Sequence, residues 1–146
     1  MIRLLEYINS DLSFTNFIKD LDKKEASPRK LKEYYSSEDI KSLLSEYGFY
    51  VDQADIFIGY TIKIYTNAFV PGMLTEAKIE ITFFPSQFPH FIEVRFEIPN
   101  NGGMKKISSD RPNEELWDTC RKVWNEVTVP DYQRNSLKKQ GYEFLS

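Results

Sequence analysis

The stretch "FFPSQFPHFIEVRF", residues 83–96, decides how the chain folds. Two Phe-Pro pairs, Phe84-Pro85 and Phe88-Pro89, separate one run of alternating apolar residues from another. Proline pushes the residue before it towards extended backbone and cannot donate to a strand ladder, so the pairs mark a turn between strands. Ahead of the turn, Ala77, Ile79, Ile81 and Phe83 alternate with Lys78, Glu80, Thr82 and Phe84; after it, Ile92, Val94, Phe96 and Ile98 alternate with Glu93, Arg95 and Glu97. Upstream, Ile56, Ile58, Tyr60, Ile62 and Ile64 alternate with Phe57, Gly59, Thr61, Lys63 and Tyr65. A period of two with one charged face is the habit of antiparallel strands buried on one side. The simplest arrangement is a meander of three to four strands over residues 49–99, connected through residues 67–75 and 85–90, with "PNNGG" (residues 99–103) ending the sheet.

Outside the sheet the period is helical. Phe14, Phe17, Ile18 and Leu21 fall at i, i+3, i+4 and i+7, with Asp11 or Ser13 available as a cap. Ser27-Pro28 restarts the pattern after a polar run, with proline suited to a first helical position. In "SSEDIKSLLSEYG", Ser36 caps with Asp39 three residues on, Ile40, Leu43, Leu44 and Tyr47 form the stripe, and Gly48 supplies the stop. Residues 1–48 are therefore mainly helical. Residues 110–128 form a helix opening near Asp110, Pro112 or Asn113, and Leu116, Trp117, Cys120, Val123, Trp124 and Val127 give it a broad apolar face that packs on the sheet. The tail, residues 129–146, holds a short helix or a last strand at residues 142–145. The expectation is one α+β domain over residues 1–146, with N-terminal helices, a central meander and a C-terminal helix on the sheet.

Composition narrows the function. The 146 residues carry 19 Lys+Arg against 22 Asp+Glu, a formal net charge of −3, which lacks the positive excess of a nucleic-acid binder. A single cysteine excludes an internal disulfide, so the fold does not depend on an oxidising compartment. The opening "MIRLLEYINSD" has neither the continuous apolar region nor the cleavage site of a signal peptide, and no run approaches the roughly 18 apolar residues of a membrane span. A cytoplasmic protein without membrane partners is expected.

Through residues 56–99 the chain resembles the superfamily of ubiquitin-conjugating enzymes and RWD domains. The resemblance rests on the alternating strand, Phe84-Pro85, two residues, Phe88-Pro89, and a strand ending Val94-Arg95-Phe96. In that family a double proline follows the second pair; this chain has His90-Phe91-Ile92-Glu93. The family's catalytic cysteine lies shortly after a His-Pro-Asn, whereas here Pro99-Asn100 lacks the His and "NGGMKKISS" contains no cysteine. The resemblance implies the fold of an inactive, interaction-only member.

Other chemistry is thinly supplied. One His and one Cys cannot build a His/Cys metal site, and no acidic loop has calcium-ligand spacing. "NNGGMKK" lacks the spacing of a phosphate loop and the Ser or Thr after its Lys, and no G-x-S-x-G elbow occurs. A Cys120–His90 pair or two converging carboxylates would be needed for catalysis. Neither cofactor nor metal is expected.

Recognition of another protein remains. Of the nine Tyr and 11 Phe much must be core, but nine tyrosines are more than a core easily absorbs, since every buried Tyr hydroxyl needs a partner. Tyrosines rimmed by carboxylates suit an interface hot spot and would steer the chain to a basic partner. The candidate contact residues are Tyr34, Tyr35, Tyr50, Asp52, Asp55, Tyr60, Tyr65, Glu80, Glu93 and Glu97. The function expected is that of a bacterial immunity protein, an inhibitor that occludes the active site of a toxin or nuclease domain. The alternatives are a secretion chaperone or other adaptor, and the inactive conjugating-enzyme-like domain.

Overall fold

A computed structural model describes residues 12–24, 31–84, 91–99 and 103–145. Helix α1 (Phe14–Asp22) begins where the Ser13 side chain accepts from the Asn16 N–H at 3.2 Å, and it buries the four apolar residues of its stripe. A short 3-10 turn (Leu31–Glu33) precedes α2 (Ser37–Glu46). There Ser36 and Asp39 exchange backbone-to-side-chain hydrogen bonds in the expected capping box. Gly48 follows in the left-handed region, at φ +85°.

The sheet then runs β1 (Asp55–Ile58), β2 (Thr61–Val70), β3 (Met73–Phe84), β4 (Phe91–Glu97) and β5 (Met104–Ser108). Its order is β1-β2-β3-β4-β5 with every neighbouring pair antiparallel. Helices α3 (Glu114–Thr128) and α4 (Asp131–Lys139) close the chain. The architecture is α+β, and the meander has five strands rather than three to four.

Two corrections account for the extra strands. The run expected as one strand from Ile56 to Ile64 folds back at Gly59-Tyr60, and Ile58 pairs with Ile62. Because that register joins residues of like parity, the isoleucines stay on one face and the hairpin keeps the alternation of a single strand. The sheet also does not end at "PNNGG"; Met104–Ser108 adds an edge strand with Ile107 as its one fully buried apolar residue. Residues 67–75, expected as a connection, are mostly strand. Val70 pairs with Met73 across Pro71-Gly72, with Gly72 at φ +77°, as a type II turn requires. The β2–β3 hairpin therefore outruns its neighbours: β1 pairs only as far as Tyr65 and β4 only as far as Lys78.

Residues 142–145 form no strand; they lie against α3 and α4, with the Tyr142 N–H donating to the Leu137 carbonyl at 3.0 Å. The turn at residues 85–90, His90, Asn100, Asp11 and Ser27-Pro28 lie outside the described residues.

Helix α3 lies across the inner face on β2, β3 and β5, α2 packs on β1, and α1 packs on α3. Trp117 and Trp124 are fully buried, and Trp117 contacts Phe14, Phe17, Phe49 and Phe96 with ring centroids 4.9–5.8 Å apart. The inward residues of β2, β3 and β4 complete this core. Among the described residues the helices cover one face, and the other is left to solvent.

Candidate interaction surface

The uncovered face is a lattice set by the register. One row across the strands reads Phe57, Lys63, Glu80, Arg95, Lys106, and the next reads Asp55, Tyr65, Lys78, Glu97, Met104. Along the hairpin, Asn67 faces Glu76 and Phe69 faces Leu74. Antiparallel pairing sets such residues within reach of one another, so the sequence alternation becomes a surface pattern.

Charges in the first row are largely satisfied. Glu80 is ringed by Lys63 at 3.9 Å, Lys78 at 3.6 Å and Arg95 at 3.9 Å. Glu93 accepts from Arg95 Nε at 2.6 Å, lies 3.6 Å from Lys106 Nζ and is buried. That pairing with Glu93 holds the Arg95 guanidinium above its ordinary pKa. In contrast, Asp55, Glu76 and Glu97 make no ion pair among the described residues.

Apolar side chains surround these groups. Leu74 is 92% exposed, and Phe57, Phe69 and Met104 are all more than half exposed. Phe57 meets the Tyr65 ring edge-on at 5.8 Å, and Lys78 Nζ sits 5.8 Å from the Tyr65 centroid on the neighbouring strand. Two shallow hollows flank this aromatic pair. One, about 640 Å³, is lined by residues including Tyr65, Leu74, Glu76 and Glu97; the other, about 550 Å³, is lined by Asp55, Phe57, Lys63, Tyr65 and Glu76.

Of the ten candidate contact residues, Asp55, Tyr65, Glu80, Glu93 and Glu97 share this face. Tyr60 is exposed in the turn beyond Ile58, and Asp52 is exposed ahead of β1. The candidate tyrosines do not gather into one exposed cluster. Tyr35 is buried with its hydroxyl donating to the Leu21 carbonyl, and Tyr34 is half-buried against the core. Tyr50 is buried beside Tyr142 and donates to Gln133 Oε1 at 3.0 Å, and burial raises the pKa of both phenols. Tyr47 is buried too, its hydroxyl 2.5 Å from Asp20 Oδ2. The hydroxyls of the buried Tyr35, Tyr47 and Tyr50 each have an internal partner, which is how the core absorbs them.

Phe57, Phe69, Leu74, Glu76 and Met104 were not among the candidates. Phe57 was legible as an aromatic on the polar side of an alternating run. Phe69 and Leu74 were hidden because their segment read as a connection.

Cys120 is fully buried among apolar groups, and burial pushes its thiol up to about 11. A thiol so placed is neither accessible nor ionised at neutral pH. No group of three His, Cys, Asp or Glu side chains among the described residues could hold a metal ion. No described helix is long and apolar enough to cross a membrane. Comparison with protein-family models, curated proteins and solved structures found no match.

Proposed function

We propose that the chain is a non-catalytic protein-binding domain that presents the uncovered face of its sheet to a folded partner. The observation that carries the reading is the exposure of Phe57, Phe69, Leu74 and Met104, all more than half exposed, on the same face as Tyr65, which no described helix covers. Leaving such side chains in water is costly, and burying them against a partner recovers about 25 cal/mol per Å² of apolar area. Apolar groups near a half-buried tyrosine suit an interface centre, and the carboxylates beside them suit its polar rim.

In its finer form, the partner is a toxin or nuclease domain and this chain is its immunity protein, occluding the active cleft. The support is the small acidic chain and the carboxylates beside Tyr65 that have no ion pair among the described residues, which would attract the basic cleft of an enzyme acting on nucleic acid. The test is capture of the partner on the tagged chain from its native cells, with crosslinking, alongside a Leu74→Ser/Tyr65→Ser double variant. A stoichiometric partner held by the native chain, lost from the double variant and inhibited on mixing is the expected result. A partner crosslinked to the helical layer and held equally by both chains would overturn the assignment of the face. An uninhibited partner at the sheet face would remove the immunity form alone.

A further inference from the structure

We infer that the trough over Tyr65 takes a short, extended, basic segment of the partner, with a lysine or arginine on either side of an apolar residue. The inference rests on the protein-binding reading above and specifies which chemistry the uncovered face selects.

The two hollows share Tyr65 and Glu76, so they form one trough running across the strands rather than two separate dents. It reaches from Asp55 and Phe57 on β1 to Glu97 at the end of β4. Strands lie about 4.8 Å apart, so three spacings give roughly 14 Å, the length of about four extended residues. A shallow trough of that length accepts a strand-like segment lying across it.

Its chemistry is ordered along that length. The middle is built on the Phe57–Tyr65 edge contact with Leu74 beside it, and Lys78 Nζ lies against the Tyr65 ring there. Asp55 stands at one end, Glu97 at the other and Glu76 next to the centre, and none has an ion pair among the described residues. Of the lysines that line the trough, Lys63 lies 3.9 Å from Glu80, and Lys78 is shared between Glu80 at 3.6 Å and the Tyr65 ring at 5.8 Å. Acceptors at both ends and an apolar centre are the complement of a basic–apolar–basic segment. An acidic segment or an anionic lipid surface would instead meet three uncompensated carboxylates.

The full chain, titrated into a fluorescein-labelled hexapeptide alternating lysine and leucine, tests this by anisotropy. The glutamate–leucine counterpart is the control. Two charge-reversed chains are compared: Asp55→Lys/Glu76→Lys/Glu97→Lys in the trough, and Glu33→Lys/Glu38→Lys/Glu115→Lys on the helical side. The lysine peptide should bind the native chain and the helical-side variant more tightly than the glutamate peptide does. The trough variant should bind the lysine peptide about tenfold more weakly and more. Equal weakening by both variants would mean a response to net charge and would overturn the inference, as would equal binding of the two peptides. Footprinting of Tyr65 and Lys78 in the crosslinked native complex separates the two proposals. Protection there without trough-dependent peptide binding sinks only this inference, whereas absence of protection there sinks the uncovered face itself.

Discussion

Asn125, fully buried in α3, donates through Nδ2 to the carbonyl of Gly48 at 2.8 Å. The same amide donates to the Glu143 carbonyl at 2.9 Å and accepts from the Tyr50 N–H at 2.9 Å. One side chain thus ties together the exit of α2, the entry to the sheet and the tail. Asn125→Ala leaves these backbone groups without partners in a buried setting and is expected to cost about 3 kcal/mol. Urea unfolding monitored by tryptophan fluorescence would show it as a lower midpoint at unchanged slope. Asn125→Asp should also destabilise, because a carboxylate would face two carbonyl oxygens.

Gly48 itself is constrained twice. Its φ of +85° disfavours any side chain, and a Cβ there would sit 3.0 Å from Cδ of Arg121, whose guanidinium pairs with Asp118 and Glu143. Gly48→Ala is expected to lose about 2 kcal/mol, measured in the same unfolding experiment.

The first turn of α1 is held by a residue far away in sequence. Glu114 accepts from the Phe14 N–H at 2.5 Å, the Thr15 N–H at 3.1 Å and the Thr15 hydroxyl at 2.7 Å. Glu114→Ala should destabilise the fold by about 1 kcal/mol, with Glu114→Gln losing less because its amide oxygen still accepts. Hydrogen exchange should rise first in α1.

The Cys120 thiol has a pKa of about 11 in the fold against 9.0 in its ordinary state. Its proton is kept by the folded chain where the unfolded chain releases it. The stability linked to this group is present below pH 9.0 and is lost as the pH rises towards about 11. The loss should reach about 3 kcal/mol and shrink in Cys120→Ala. Tyr50 and Tyr142, also raised by burial, add to the alkaline loss in both proteins. At pH 8 the native thiol should resist iodoacetamide until the chain is unfolded.

Substitutions on the uncovered face should behave oppositely to those in the core. Leu74, 92% exposed, makes no core contact to lose. Leu74→Ser and Glu76→Lys are expected to change stability by less than about 0.5 kcal/mol. A Tm shift of more than a few degrees would assign them a structural part instead.

The sequence made the inner face plain and the boundaries obscure. Alternation from Ile56 onward correctly placed the isoleucines inward, because residues joined by an even-sum register keep their side. For the same reason nothing in the pattern announced the fold-back at Gly59-Tyr60. Strand β5 escaped because a short edge strand with one buried apolar residue carries almost no periodic signal. The capping box at Ser36 was legible, being local chemistry. Asn125 was not, since the backbone groups it satisfies come from residues 48, 50 and 143 and only the fold brings them together. The same limit applies to the tyrosines: composition counts hydroxyls, but their partners are tertiary.

Because β2 and β3 outrun β1 and β4, the tip of their hairpin shows the outside world two rows of peptide groups, between residues 66–70 and 73–77, that no described strand occupies. Exposed, apolar strand margins are templates for edge-to-edge growth. Glu76, exposed opposite Asn67, puts a charge on this margin, which opposes such growth between crowded copies. Asn67→Val with Glu76→Val is accordingly expected to lower solubility at high concentration, read as fibres that bind thioflavin T.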